Sequence, residues 1–233
     1  MSRRSRVALA VMAKAPAPGE VKTRLCPPLS PDQAATLARC FLEDRVEQLR
    51  TVEAGEAVVA FTPVGREAEL RAWLGPGVRL LPQAGTDLGA RLDRVLTDLL
   101  AEGYAGAAAV DADSPTLPTA FLQHACAHLL AGVADLVVGP TEDGGYYLIG
   151  LRAPAPALFR DMPWSTAAVF DETVARARRL GLRLGVLPAW FDVDRGADLA
   201  RLAASAARAG DGRGDPPPFR PRRTLAFLRE ALR

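Results

Sequence analysis

The stretch Ala107-Ala108-Ala109-Val110-Asp111-Ala112-Asp113-Ser114-Pro115 places a short apolar run directly before two carboxylates. Such a run predicts a buried strand, with both acids lying where the strand ends. Because alternate side chains of an extended chain share a face, Asp111 and Asp113 are expected to point the same way. Like charges at this spacing call for a cation, and Mg²⁺ or Mn²⁺ bridged to a diphosphate fits best. A simple turn is the alternative, because Asp, Ser and Pro favour turns.

Outward from this stretch, apolar runs alternate with amphipathic helical segments. Ser30, Pro31 and Gln33 form the capping signature of a long helix. The alternation predicts an α/β fold: a single, mostly parallel sheet with helices on both faces, of the Rossmann-like nucleotide-binding type. The predicted strands cover 7–12, 56–62, 78–82, 107–110, 135–139, 146–151 and 183–188, and the predicted helices cover 30–50, 65–74, 88–102, 118–131, 168–180, 197–209 and 223–232.

Composition narrows the class of protein. The 233 residues are 49% hydrophobic and carry a net charge of +2, which argues against nucleic-acid and membrane partners. No apolar stretch is long enough to span a bilayer, so a cytoplasmic protein is expected. The three cysteines are too far apart for a zinc ribbon. We predict one domain over 1–209, a Gly- and Pro-rich linker over 210–222 and a C-terminal helix over 223–233.

The loop after the first strand is rich in cations. It contains Lys14, Gly19, Lys22 and Arg24, and such a loop at the carboxyl end of a strand suits phosphate binding. It is not a Walker A loop, because Val21 rather than Gly precedes the lysine. A solvated basic loop is the alternative.

A second loop follows the third predicted strand. Gln83 could read a base edge or a ribose, and Gly85 would let the backbone approach a ligand closely. Asp87 belongs to the same candidate nucleotide site, although Thr86 or Asp87 could simply cap the next helix.

Two further acidic segments are expected at the same sheet edge, since ligands of open α/β sheets bind outside the carboxyl ends of the strands. Glu142-Asp143-Gly144-Gly145 is either a hairpin turn or part of an acceptor site. Asp192 and Asp194 repeat the spacing of the first acid pair, so they either cap a helix or supply a second metal ligand.

Together these segments resemble the bacterial DUF2064 family, also called the radical-SAM/selenodomain-associated transferase 1 family, in the nucleotide-diphospho-sugar transferase superfamily with its glycosyltransferase A fold. The resemblance spans about residues 7 to 202. It is carried by Lys14-x-Pro16-x-Pro18-Gly19-x-Val21-Lys22-Thr23-Arg24-Leu25, Gln83-x-Gly85-x-x-Leu88-Gly89-x-Arg91, Asp111-x-Asp113-Ser114-Pro115, Glu142-Asp143-Gly144-Gly145-Tyr146-Tyr147-Leu148-x-Gly150, Trp164-Ser165-Thr166 and Asp192-x-Asp194.

The resemblance implies a nucleotide-bound donor held by the cation-rich loop and the Gln83 region. It implies that Asp113 holds the divalent metal, that Asp111 lies near the ribose or the metal, and that Asp194 is the second carboxylate. Glu142 and Asp143 would then join Asp113 as catalytic residues, one of them as a general base. Acceptor contacts are expected from Gly144, Gly145, Trp164 and Ser165.

Two reactions remain open at this point. The first is a metal-dependent glycosyltransferase that uses a nucleotide sugar and releases a nucleoside diphosphate to transfer the sugar to a small acceptor. The second is a nucleotidylyltransferase that releases pyrophosphate, similar to phospholactate guanylyltransferase. Arg195-Gly196 stands where those guanylyltransferases usually have Thr-Pro, so the acceptor does not carry over. A non-catalytic nucleotide-binding module is a third reading, and a dehalogenase-type phosphatase fits poorly because of Pro115.

Overall fold

The computed structural model describes residues 2–210 and 214–231. These residues form an α/β fold, as the alternating pattern predicts. The strands are β1 (Val7–Lys14), β2 (Gly55–Thr62), β3 (Arg79–Pro82), β4 (Gly106–Val110), β5 (Leu136–Pro140), β6 (Tyr146–Leu151) and β7 (Leu184–Val186). The helices are α1 (Pro31–Arg50), α2 (Glu67–Leu74), α3 (Leu88–Ala101), α4 (Thr119–Leu130), α5 (Val169–Arg179), α6 (Asp198–Gly210) and α7 (Arg222–Ala231).

The strands make one sheet in the order β3-β2-β1-β4-β6-β5-β7. Every neighbouring pair is parallel except those that include β6, which runs antiparallel to both β4 and β5. The chain leaves β1 for β2 on one side, whereas β4 lies on the other side. This reversal opens a crevice between the loops that follow β1 and β4, which is where open α/β sheets bind ligands.

Both faces of the sheet are covered, and β1 shows how. Val7, Leu9 and Val11 join the core layer that contains side chains of α1, α2 and α4. Ala8 and Ala10 point to the opposite layer, which contains side chains of α3 and α5. Because successive side chains of a strand alternate between faces, a strand buried on both sides must be apolar throughout.

Helix α1 begins as its sequence predicts. The Ser30 hydroxyl accepts a hydrogen bond from Gln33 N, the Gln33 side chain accepts one from Ser30 N, and Pro31 opens the first turn. This reciprocal capping satisfies two backbone donors that the helix itself cannot pair. It fixes the start of a 20-residue helix that runs beside both β1 and β2.

A third apolar cluster attaches the C-terminal helices to α1. Leu37 and Phe41 of α1 pack with Leu202 of α6 and Leu228 of α7. The buried Asp44 carboxylate accepts hydrogen bonds from the backbone N–H groups of Arg223 and Thr224, at 3.1 and 2.8 Å. A carboxylate at the start of a helix accepts hydrogen bonds from the helix's unpaired N–H groups and is stabilised by the positive end of the helix dipole. The predicted domain division over 1–209, 210–222 and 223–233 stays a prediction, and residues 211–213 of that linker and 232–233 of the terminal segment lie outside the described residues.

Candidate active site

Two cavities open at the carboxyl edge of the sheet and meet at a pair of acids. The first, of about 360 Å³, lies against the loop after β1. Its lining includes Lys14, Lys22 and Arg24, which are the three cations predicted to bind phosphate. The second cavity, of about 510 Å³, lies against the turn between β5 and β6. Asp113 and Asp194 line both cavities, as Arg24 does.

The Lys22 ammonium lies between these two carboxylates. Its Nζ atom is 2.9 Å from Asp113 Oδ1 and 2.8 Å from Asp194 Oδ1, and it also donates to the Val193 carbonyl at 2.7 Å. The two carboxylates therefore lie under about 6 Å apart, close enough to bind one metal ion whose oxygen ligands stand at about 2.0–2.6 Å. Burial disfavours the ammonium, but the charges of Asp113 and Asp194 outweigh it and raise the pKa of Lys22.

The backbone at Lys22 is held in a rare conformation. Its φ of 48° lies in the left-handed region, which side chains other than glycine seldom adopt. Such strain costs free energy and persists where the surroundings impose it, most often at functional sites. Here the three contacts of the ammonium supply that constraint, so the loop after β1 is fixed to the loop that carries Asp194.

Asp111 lines the second cavity beside Asp113, but its carboxylate oxygens already have partners. Oδ1 accepts from Arg45 Nη2 at 3.2 Å, and Oδ2 accepts from the Ser114 hydroxyl at 2.6 Å. Burial raises the pKa of Asp111 to about 7, although the Arg45 guanidinium opposes this shift. The residues described contain no cluster of three or more His, Cys, Asp or Glu side chains suited to a metal. Asp111 thus differs from Asp113 and Asp194, because its carboxylate is bound by Arg45 and Ser114 whereas theirs contact Lys22.

The predicted acceptor residues surround the second cavity. Asp143, Gly145, Trp164 and Ser165 all line it. Gly144 lies in the same turn with φ at 92°, and a Cβ atom there would collide with the backbone of Ala167. The turn is a hairpin between two antiparallel strands, as one reading predicts, and it also borders the cavity, as the other predicts.

The two acids of this turn have different surroundings. Both carboxylate oxygens of Glu142 contact the guanidinium of Arg201 at 2.6 Å, which lowers the Glu142 pKa. Asp143 Oδ1 accepts from the Thr141 hydroxyl and from Gly145 N, at 2.5 and 3.1 Å. Asp143 lines the cavity and has no cationic partner among the described ion pairs, so it is better placed than Glu142 to take a proton.

The Gln83 loop borders this centre, since Ala13, to which Gln83 bonds, lines the first cavity and Leu88 lines the second. The Gln83 amide donates to the carbonyls of Ala13 and Ala60, and Asp87 caps α3 by accepting from Ala90 N at 2.9 Å. Gly85, with φ at 143°, allows the chain to pass close to the start of α3. Among the described residues lining the two joined cavities, none comes from 83–87. Gly19 lies in the cation-rich loop with φ at 74° and open space around it.

Two residues at this site, Tyr146 and Arg45, were absent from the sequence-based set, and a third, Asp192, was named there only through its spacing to Asp194. Asp192 lines the second cavity, and burial followed by the charges of Asp143 and Asp194 raises its pKa to about 6. Tyr146 lines the same cavity with a buried hydroxyl that has no hydrogen-bond partner among the described residues. Arg45, buried in α1, gave no sequence signal.

Comparison with known proteins identifies the family. The sequence profile described as "Uncharacterized protein conserved in bacteria (DUF2064)" matches residues 45–166, slightly more than half of the chain. The chain belongs to the DUF2064 family. A comparison with curated proteins finds no match.

Solved structures support this assignment. A candidate nucleotide-diphospho-sugar transferase from Desulfovibrio desulfuricans G20 is 32% identical to this DUF2064 chain, with a TM-score of 0.86 over 99% of this chain and 95% of that one. The fold predicted from the sequence is thus confirmed, and the prediction of a transferase agrees with the name of this relative.

More distant structures share the fold. The CMP:2-keto-3-deoxy-manno-octonic acid synthetase complexed with CTP is 13% identical, with a TM-score of 0.56 over 87% of this chain and 99% of that one. A cytidylyltransferase from Leptospira borgpetersenii is 11% identical, with a TM-score of 0.54 over 97% of this chain and 94% of that one.

None of the helices in residues 2–210 and 214–231 is both long and apolar enough to cross a bilayer.

Proposed function

We propose that this DUF2064 protein is a metal-dependent glycosyltransferase that moves a sugar from a nucleotide-sugar donor to a small acceptor. The observation that carries the proposal is the meeting of two cavities at Asp113 and Asp194. The first cavity also has the three cations of the loop after β1, with Glu20, and the second is lined mainly by acids and by the rings of Tyr146 and Trp164. Transfer needs donor and acceptor on opposite sides of one reacting centre, and this arrangement provides both sides. The name of the 32% identical relative agrees with this reaction.

The two acids suit Mg²⁺ or Mn²⁺. Their side chains are 43% and 41% exposed, so both carboxylates are accessible from the cavities. Mg²⁺ usually takes one or two carboxylates and completes its ligands with water and substrate phosphates. Two accessible carboxylates with no third protein ligand among the described residues are compatible with an ion that substrate phosphates also bind. When bound, such an ion neutralises the charge that develops on the leaving diphosphate.

The chain's own side chains would then divide the remaining work. Lys14 and Arg24, whose side chains are 47% and 71% exposed, can turn toward the donor phosphates. Asp143 would take the proton of the acceptor hydroxyl. The acceptor oxygen would bond to the sugar carbon as the bond from that carbon to the phosphate oxygen breaks. Trp164 and Ser165 border the space left for the acceptor.

A nucleotidylyltransferase is the second candidate. Three cations line the first cavity, which would also suit the higher charge of a nucleoside triphosphate. In that reaction the α-phosphorus is attacked and pyrophosphate leaves. The two reactions therefore differ in the product that departs from the same cation-rich loop.

The products separate these candidates. The protein should be incubated with MnCl₂ and either UDP-, GDP- or CDP-sugars or the four nucleoside triphosphates, with the inactive variant Asp113→Asn as the control. Slow release of nucleoside diphosphate from one nucleotide sugar, lost in the variant, would support glycosyl transfer. Pyrophosphate release from a triphosphate plus a phosphorylated acid, with no diphosphate from any sugar donor, would favour the nucleotidylyltransferase. Neither product, together with no thermal shift by any nucleotide, would refute both.

A further inference from the structure

The loop that carries Asp113 is bound on its buried side by Arg45, a side chain of α1. The Arg45 guanidinium donates to the Asp111 carbonyl at 3.1 Å, to Asp111 Oδ1 at 3.2 Å and to the Ser114 carbonyl at 2.7 Å. Its side chain has no exposed surface. Burial lowers the pKa of Arg45, and the charge of Asp111 opposes that shift.

Gln48, one turn further along α1, extends this contact. It accepts a hydrogen bond from Arg45, and its amide donates to the Leu117 carbonyl at 2.5 Å and to the Thr119 hydroxyl at 3.2 Å. Two side chains at i and i+3 share a helix face, so they form one row beneath the loop. The row contacts the loop at its start, its middle and its end.

We propose that Arg45 and Asp111 form a buried strut that positions Asp113, and that Asp111 is a member of this strut rather than a metal ligand. The inference deepens the proposed function, on which it rests, by dividing the roles of the two acids. Asp113 lies between the two residues that Arg45 holds, and its own carbonyl accepts from Val193 N at 2.9 Å. The strut thus does not engage the Asp113 carboxylate, which contacts the Lys22 ammonium beside Asp194.

The alternative assigns Asp111 to the metal, with Arg45 as a counter-ion that competes for its carboxylate. The two interpretations predict opposite changes in metal affinity when Arg45 is replaced. A competing guanidinium, once removed, would release Asp111 and tighten metal binding. A strut, once removed, would let the loop loosen and weaken metal binding.

The test measures Mn²⁺ affinity by electron paramagnetic resonance in the full chain. For Arg45→Met we expect binding weaker by about tenfold or more, as loss of hydrogen bonds from a charged group implies. Arg39→Met is the matched control on the same helix, since the described contacts of the Arg39 guanidinium are with Glu43 and the Trp73 ring and not with the loop 111–117. Asparagine at position 111 keeps the Oδ1 acceptor and the backbone carbonyl that Arg45 holds, so for Asp111→Asn we expect affinity close to that of the wild type, whereas Asp113→Asn should lose binding. Tighter binding by Arg45→Met, or loss of binding by Asp111→Asn, would overturn the proposal.

Arg45→Met could unfold the protein by leaving Asp111 buried without a partner, so Arg45→Lys provides a second variant. Lysine keeps the charge but cannot reach both ends of the loop with one planar group. Amide hydrogen exchange over residues 111–117 should then become faster, with no change in α1. Unchanged exchange in a folded Arg45→Lys would refute the strut. If the wild type itself binds no Mn²⁺, the proposed metal site fails, and the exchange measurement still decides whether the strut exists.

Discussion

Lys22 occupies the position between Asp113 and Asp194 that the proposed metal ion also needs, so its removal should strengthen metal binding. A unit-charge pair attracts by about 1 kcal/mol in bulk water at 4 Å, and by about 4 kcal/mol at an effective dielectric of 20. Both carboxylates are about two-fifths exposed, but the Lys22 side chain is only 9% exposed and the contacts are shorter than 4 Å, so the lower figure is the minimum for each contact. Displacing the ammonium from both acids then costs at least about 2 kcal/mol.

We therefore expect Lys22→Met to bind Mn²⁺ at least about thirtyfold more tightly than the wild type in the absence of nucleotide. Methionine keeps most of the volume of the side chain and removes its charge. The same variant should bind nucleoside diphosphates less tightly, because one cation of the phosphate cavity is lost. Electron paramagnetic resonance measures the first effect, and calorimetry with the diphosphate measures the second.

Lys14→Met is the matched control. Lys14 lines the same cavity, but its ammonium pairs with Glu20 at 3.3 Å rather than with the two acids. Its Mn²⁺ affinity should stay at the wild-type value while its diphosphate affinity falls. Weaker Mn²⁺ binding by Lys22→Met would refute the reasoning, because it would show that the lysine organises the acids for the metal instead of competing with it.

Three further outcomes follow from contacts described above. Glu142→Gln should retain most of the turnover, because Arg201 already engages its carboxylate, whereas Asp143→Asn should lose it; equal losses in steady-state assays would contradict this division. Asp44→Ala should lower the free energy of unfolding in urea by about 1 kcal/mol through loss of the α7 cap, while Glu47→Ala, which removes only a partly exposed ion pair with Arg223, should change it by less than about 0.5 kcal/mol. Asp135 has its pKa lowered to about 2 by Arg183, so its ion pair stabilises the fold above about pH 4 and is lost as the pH falls toward 2. The difference in urea midpoint between wild type and Asp135→Asn should shrink over that range, and a constant difference would argue against the pair.

The elements of this fold were predictable where local rules agree with tertiary structure. The capping residues Ser30 and Gln33 fix the start of α1, and the apolar run before Asp111 is a fully buried strand. Strand β7 is shorter than the predicted 183–188, because Arg183 N donates to the Asp135 side chain and only Leu184–Val186 pairs with β5. An edge strand ends where side chains, rather than the neighbouring strand, pair with its backbone groups, and the periodicity of the sequence does not show where that happens.

The site was predictable in its composition and less so in its contacts. The topology rule correctly gathers Asp113, Asp143 and Asp194 at one sheet edge. The position of the Lys22 ammonium depends on a partner 172 residues away and on a left-handed backbone, neither of which spacing reveals. Arg45 reads in the sequence as one more charged residue of a helix, and only the packed structure shows that it is buried.

Asp44 and Arg45 are neighbours in the chain, yet they contact different parts of the structure from different sides of α1. Asp44 accepts from the backbone at the start of α7, and Arg45 donates to the loop that carries Asp113. Adjacent helical residues project about 100° apart, so one turn of α1 contacts both the start of α7 and the loop that carries Asp113. Growth, loss or replacement of the C-terminal segment during evolution would thus be transmitted through a single helical turn to the site, although the two regions are far apart in sequence.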